Sequence, residues 1–289
     1  MTEDSLQRFI FDGTDVRGEI VQLHTSYQDV LAPRQDSAPV AALLGEFLAA
    51  ASLLGSTLKF EGTLTLQAQG NGSIPLIMAE TTHDRAIRGI VRGAEQTTDT
   101  HFEAQLGTGS LAITLDPLNG ERYQGIVPLV SESLAASLEG YFNQSVQLPT
   151  RLWLAADGHR AAGLLLQALP AQVVTDIEAR QTMWQHLTTL AATLTPEELL
   201  SLGSETVLYR LFHEETVRLL DSEPVRFRCS CSQERTGRAL SQLGEAEVRD
   251  ILLEQGAVEM QCEFCLHTYR FSPVEIDALF SPEPAPRLH

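Results

Sequence analysis

Cysteine is scarce in this chain. Only four of the 289 residues are cysteines, and all four lie within the last 61 residues, the first of them being Cys229. The chain is long enough for a large core and for two domains or more. An apolar fraction of 43% is that of an ordinary globular protein and excludes a disordered one.

Basic residues are also few, and the net charge is −18. Binding to nucleic acid through its phosphates needs a basic face, so we expect no nucleic-acid partner. The N-terminus, "MTEDSLQRFIFDG", lacks a basic segment followed by an apolar one, so we expect no signal peptide. The most apolar window, residues 40–58, contains Glu46 and two glycines, which favours a buried helix over a membrane span. We therefore expect a cytoplasmic protein without a membrane partner, in a compartment where structural disulfides are rare.

Catalytic motifs are missing as well. The chain has no Gly-x-Ser-x-Gly, no Walker loop and no His-Glu-x-x-His, and its glycine-rich stretches "QGNGS" and "GTGS" are typical of hairpin turns. A thioredoxin-like dithiol lies at the head of a helix, whereas the second cysteine pair here follows a predicted strand. We expect that the protein is not an enzyme.

Residues 1–176 predict a core domain of mixed sheets and helices, so the fold class is α+β. Residues 9–23 predict a hairpin with an Asp-Gly turn, and residues 40–54 predict a long apolar helix. Further strands are predicted near residues 85–93, 109–117, 122–129, 150–156 and 161–169. A helix is predicted over residues 131–145, with Ser131 as N-cap and with Leu134, Leu138 and Tyr141 on one face.

Residues 177–223 predict a helical linker. A capping box at Thr195 and Glu198 begins one helix. In the next one, Leu208, Leu211, Phe212 and Leu219 have helical spacing. From residue 176 to residue 223 the chain has nine acidic residues and three arginines, a net charge of −6. This apolar stripe on a polar segment predicts an element of low stability.

Residues 224–289 predict a small domain. Its cysteine pairs flank a helix over residues 245–255, with Gly256 as the C-terminal left-handed residue, and a capping box at Ser272 and Glu275 begins another. A single core of about 65 residues is marginal without a metal or a disulfide.

The spacing of the cysteines predicts that metal. Cys262-x-x-Cys265 has the spacing in which a tight turn points two sulfurs at one ion, and Cys229-x-Cys231 supplies a second pair after a helix-containing interval. Two such pairs are typical of a structural site with four thiolates around one Zn²⁺. We therefore expect one zinc per reduced chain. Arg226, Arg228 and Arg235 are candidates to offset its negative charge, and His267 is expected to be an ordinary surface histidine.

The same order of cysteines resembles the thirty-three-kilodalton heat-shock protein family, which are redox-regulated bacterial chaperone holdases. Segments along nearly the whole chain carry the resemblance: "VRGEIV", "LLGEFLAAASLLGSTLKFEG", "GERYQGIVPL", "LPTRLWL", "LPAQ", "VLYRLFHEE" and "CSCSQER". After the last cysteine the chain has Leu266 where the family has glycine. The resemblance implies a substrate-binding core, a metastable linker, a zinc redox-switch domain, dimerisation on oxidation and clients that are unfolding proteins.

In that interpretation oxidation expels the zinc. Adjacent sulfurs favour disulfides within each motif, Cys229 with Cys231 and Cys262 with Cys265. Two alternatives stay open at this point. One is a zinc-ribbon module that binds nucleic acid, against which residues 224–289 carry a net charge of −3. The other is a chaperone whose zinc has no redox role. The residues that bind clients are not identified by the sequence.

Overall fold

A computed structural model describes residues 4–57, 61–94, 97–129 and 132–281. In chain order, its strands are β1 (Ser5–Phe11), β2 (Val16–Leu23), β3 (Gly62–Gly70), β4 (Leu76–Thr82), β5 (Ala86–Arg92), β6 (Gly109–Pro117), β7 (Tyr123–Pro128), β8 (Thr150–Ala156), β9 (Ala161–Ala168), β10 (Val217–Pro224), β11 (Arg226–Phe227), β12 (Val258–Gln261) and β13 (Thr268–Phe271). Its helices are α1 (Thr25–Leu31), α2 (Ala38–Ser56), α3 (Phe102–Leu106), α4 (Leu134–Tyr141), α5 (Ile177–Ala191), α6 (Pro196–Ser201), α7 (Ser204–Phe212), α8 (Gln233–Ser241), α9 (Glu245–Gln255) and α10 (Pro273–Phe280). The chain forms two compact units, the first ending at Arg228 and the second beginning at Cys229.

The first unit contains two sheets. One has the strand order β10-β1-β2-β9-β8 and is antiparallel throughout. The other has the order β11-β5-β4-β3-β6-β7, in which only the two-residue strand β11 runs parallel to its neighbour. The predicted hairpin, the long apolar helix and the named strands of the core are all confirmed, as is the α+β class.

Helix α2 is the centre of the first unit. It contacts strands of both sheets, and most of its residues are buried. By length and composition α2 could cross a membrane, but 78% of its most apolar window is buried inside the protein. Apolar side chains on all sides are what a helix between two sheets requires. α2 is therefore a core helix, as residues 40–58 predict.

The first sheet is buried on both faces. Every residue of β9 except the last is buried: Leu165 faces the core around α2, and Leu164 and Leu166 face a second cluster on the opposite side. A strand covered on both faces needs a continuous apolar run, which explains the segment "AAGLLLQA". The cover on the second side comes from the helical segment α5–α7.

That helical segment packs through a small set of large side chains. Leu187 from α5, Leu199 from α6 and Phe212 from α7 are all buried in the cluster on the outer face of the first sheet. The ring of Phe212 lies 4.9 Å from that of Phe11 and 6.3 Å from that of Phe9. The predicted stripe therefore packs on the sheet, and the predicted capping box at Thr195 is present.

One part of this prediction is wrong. Helical spacing extended the last helix to Leu219, but α7 ends at Phe212, and Leu219 lies in β10, paired with Phe9 of β1. Leu219 is 41% exposed, so its helical spacing from Phe212 is coincidental. Pairing with a strand more than 200 residues earlier overrides the local pattern.

Helix α4 has Leu134, Leu138 and Tyr141 on its buried face, as predicted. Its N-cap is Ser133, whose side chain accepts a hydrogen bond from the backbone N–H of Ala136. The predicted N-cap Ser131 lies outside the described residues.

Candidate metal centre

Two loops of the second unit supply the four cysteines. Cys229 and Cys231 precede α8, whose N-cap Ser232 accepts a hydrogen bond from the backbone N–H of Arg235. Cys262 and Cys265 lie in the turn between β12 and β13. This turn follows the antiparallel pairing of Gln261 with Thr268. The strand pairing and the helix cap therefore fix the two chain segments that carry the sulfurs.

The second loop is a tight turn closed by backbone hydrogen bonds. The N–H of Leu266 donates to the carbonyl of Cys262 at 2.8 Å, and the N–H of Cys262 donates to the carbonyl of His267 at 2.9 Å. Leu266 has φ 53°, in the left-handed region that favours glycine. The turn thus keeps the glycine conformation with a leucine in it, at a backbone cost of about 1–3 kcal/mol.

All four sulfurs lie within 4.8 Å of one another. The Sγ atoms of Cys229 and Cys262 are 3.6 Å apart, and those of Cys231 and Cys265 are 3.4 Å apart. A regular tetrahedron with metal–sulfur bonds of about 2.3 Å places its sulfurs about 3.8 Å apart. The predicted ligands are therefore brought together at the spacing that a four-thiolate metal site requires, and their chemistry fits a metal ion of the zinc type.

The thiols differ in acidity. Burial raises the pKa of Cys229 to about 12 and also raises that of Cys265. Burial opposes ionisation of Cys231 too, but hydrogen bonds from Tyr269 and from the other three thiols outweigh it and lower its pKa to about 7. Because a metal binds thiolates, uptake of an ion by this cluster releases protons, and Cys231 ionises most readily.

One of the candidate arginines lies next to the cysteines. The guanidinium of Arg235 donates to the backbone carbonyl of Ser230 at 2.9 Å, between the first two cysteines. Arg226 and Arg228 instead form ion pairs with Asp84 at 2.8 and 2.7 Å. His267 is not part of the cysteine group, and its ring packs edge-on against Tyr269 at 4.6 Å.

Sequence reasoning missed one residue of the centre. The hydroxyl of Tyr269, on β13, donates a hydrogen bond to the Sγ of Cys231 at 3.1 Å. The two residues are 38 positions apart, so only the folded hairpin brings them together. A possible signal was the position of Tyr269 four residues after Cys265, on the strand that returns from the metal-binding turn.

The apolar core of the second unit is small. Five buried residues form it in the described part of the unit: Leu240, Val248, Val258, Phe271 and Ile276. The predicted helix over residues 245–255, the left-handed Gly256 and the capping box at Ser272 are all present. A core of this size needs a metal or a cross-link, which agrees with the cysteine cluster.

The fold and the site together define an α+β protein with a separate cysteine-rich unit suited to a metal. Comparison with known proteins gives the family. The model of the family described as Hsp33 protein matches residues 4–272. A 33 kDa chaperonin from Azotobacter vinelandii is 54% identical over 281 residues, covering 96% of this chain and 95% of the relative. One from Pseudomonas aeruginosa is 52% identical with the same coverage.

A solved structure has the same fold. The crystal structure of the 33 kDa chaperonin (heat shock protein 33 homolog) from Thermotoga maritima matches with a TM-score of 0.82 and 24% identity, over 96% of this chain and 97% of that chain. The chain belongs to the Hsp33 family. The function expected from the resemblance, that of a redox-regulated chaperone, is confirmed, and the nucleic-acid alternative is not favoured.

Proposed function

We propose that Cys229, Cys231, Cys262 and Cys265 hold one zinc ion in the reduced chain, and that oxidation of these cysteines to disulfides turns the chaperone on as a holdase for unfolding proteins. The observation that carries the proposal is the approach of the four sulfurs to within 4.8 Å in a unit with a small core. Cysteine thiolates are both zinc ligands and the form of cysteine that oxidants attack. One cluster therefore serves as structural support and as sensor.

The energetic weight of the metal explains why its loss matters. Structural zinc contributes on the order of 10–16 kcal/mol in small peptides at neutral pH, as much as the whole stability of a small domain. Five buried apolar side chains cannot replace that contribution. The second unit unfolds when its thiolates are lost.

The pairing of the sulfurs decides this outcome. Disulfides within the motifs, Cys229 with Cys231 and Cys262 with Cys265, cross-link nothing distant and constrain little chain entropy. Disulfides across the motifs would instead staple two segments more than 30 residues apart and preserve the fold. Each disulfide forms when two thiolates lose two electrons to one peroxide molecule, which is reduced to hydroxide or water. We propose pairing within the motifs.

The second part of the switch is the helical segment. We propose the division into a core of residues 1–176, a metastable linker of residues 177–223 and a zinc redox-switch domain of residues 224–289. The linker continues through β10 and β11 to Cys229. Helices α6 and α7 have six and nine residues, too few for stability without tertiary packing. Loosening this segment exposes its own apolar side chains and the outer face of the first sheet.

Unfolding client proteins bind to this apolar surface, and a second copy of the chain binds there too, which gives a homodimer on oxidation. The protein acts in the cytoplasm, without catalytic turnover and without nucleic-acid or membrane partners. The strong negative charge of the chain supports these exclusions, because it opposes binding to phosphates and to anionic lipid.

Metal analysis, disulfide mapping and aggregation suppression test the proposal on the same preparations. We expect one zinc per reduced chain, loss of zinc with peroxide, and suppression of client aggregation only after that loss. The variant Cys231→Ser should lose most of its zinc, while the neighbouring Ser230→Ala should retain it. Mapped disulfides that join Cys229 to Cys262 or Cys231 to Cys265 would contradict the unfolding step. Full activity with zinc retained would show that the metal has no redox role.

A further inference from the structure

A tyrosine hydroxyl contacts the metal centre from the second strand of the hairpin. Tyr269 pairs with Met260 in the β12–β13 register, and its partly buried ring packs against the small core and against His267. These contacts hold the hydroxyl 3.1 Å from the Sγ of Cys231, within hydrogen-bond distance for a sulfur acceptor. The phenol is therefore fixed by the hairpin and does not approach the sulfur by chance.

The sulfurs receive different kinds of hydrogen bond. The backbone N–H of Cys231 donates to Cys229, and the backbone N–H of His267 donates to Cys265. Cys231 receives its bond from a side chain. A bond from the backbone is present in every variant of the chain, whereas the bond from Tyr269 can be removed without changing the backbone.

A donor on a thiolate has a defined chemical effect. Oxidants and alkylating agents accept an electron pair from sulfur, and a hydrogen bond to that sulfur lowers its nucleophilicity. Partners of metal ligands also hold the ligand in position, and their loss typically costs 10–100-fold in metal affinity. Tyr269 is placed to do both at one of the four sulfurs.

We propose that Tyr269 is a positioning residue of the redox switch: its hydroxyl orients the Cys231 sulfur towards the metal and lowers the reactivity of that sulfur towards oxidants. In the step concerned, the Cys231 thiolate attacks one oxygen of hydrogen peroxide, forming a sulfenic acid and releasing hydroxide. The Cys229 thiolate then attacks the sulfenic sulfur, forming the disulfide and releasing a second hydroxide. Tyr269 acts on the first of these steps. The inference rests on the proposed metal centre.

The variant Tyr269→Phe tests it, because it keeps the ring and removes only the hydroxyl. Iodoacetamide serves as a probe of single sulfurs: each thiolate displaces iodide and gains one mass label, which is located by peptide mass spectrometry. The reaction is followed on reduced full-length protein in excess zinc, so that metal loss does not contribute. The matched control is Thr268→Val, which removes a hydroxyl from the neighbouring, exposed residue of the same strand.

In Tyr269→Phe we expect Cys231 to be labelled at least threefold faster than in the wild type. The rates at Cys262 and Cys265 should stay within a factor of two. A separate chelator competition should show zinc binding weakened by about tenfold. Thr268→Val should change neither quantity. Equal acceleration at all four cysteines would overturn the proposal, because it would show that the hydroxyl stabilises the whole unit and not one sulfur.

Unchanged labelling at Cys231 would overturn it as well. Both results differ from failure of the metal centre itself, which would appear as wild-type protein without zinc. A wild type that binds zinc and a Tyr269→Phe variant with wild-type rates would therefore contradict only the role of Tyr269.

Discussion

Phe212 offers a way to loosen the helical segment without touching a cysteine. Its side chain is 1% exposed and lies among Phe9, Phe11 and the apolar residues of the first sheet. Truncation of a buried phenylalanine to alanine costs about 3–5 kcal/mol. Because α7 has only nine residues and depends on this packing, the loss falls mainly on local opening of the segment.

The expected size follows from that cost. A change of about 3–5 kcal/mol raises the open population of α7 on the order of 100-fold to several 1,000-fold. Reduced, zinc-loaded Phe212→Ala should therefore suppress client aggregation without oxidant, and hydrogen exchange should show α7 less protected. The control is Tyr209→Ala on the same helix, whose side chain is 73% exposed and whose loss should cost less than about 0.5 kcal/mol.

One combination of results would refute this reasoning. If α7 of Phe212→Ala exchanges rapidly while the reduced variant holds no more client than the wild type does, the surface under the helical segment is not the client-binding surface. Equal exchange in Phe212→Ala and Tyr209→Ala would instead show that the packing of Phe212 does not hold the segment in place.

Three further predictions concern single sites. Burial raises the pKa of Glu19 to about 7, so the folded state holds a proton that the unfolded state has lost above about pH 4.3. Stability of the first unit should therefore fall by about 3–4 kcal/mol from about pH 4.5 to 7 and then level off. Glu19→Gln should remove this fall in urea titrations followed by tryptophan fluorescence, and an unchanged slope would contradict it. Asp84→Asn should speed hydrogen exchange at residues 226–228 by about tenfold, because two ion pairs are lost, and should leave the zinc content as it is. Leu266→Gly should relieve the left-handed backbone at φ 53° and tighten zinc binding about threefold to tenfold in chelator competition; weaker binding would show that leucine fits this turn without strain.

The elements that depend on local pattern could be predicted from the sequence. The two capping boxes, the apolar run of β9 and the length of α2 each result from residues within the element itself. The metal-binding cysteines were predicted for the same reason, because the Cys-x-x-Cys turn is local and the second pair repeats its chemistry.

Elements held by distant residues were not predicted. Helix α1 has no local side-chain cap; the carboxylate of Asp4 accepts hydrogen bonds from the backbone N–H groups of His24, Thr25 and Ser26 instead. Strand β10 exists because β1 offers it a free edge. Tyr269 likewise meets Cys231 only in the folded hairpin. Contacts of this kind have no signal at any fixed spacing in the sequence.

Hydrogen exchange on reduced and peroxide-treated protein, with zinc measured in the same samples, tests the central claim most directly. We predict that residues 229–281 lose protection when the zinc has left, that α5–α7 lose protection with them, and that α2 and β9 stay protected. If residues 177–281 remain as protected after zinc release as before it, oxidation does not open the helical segment and the proposed switch is wrong.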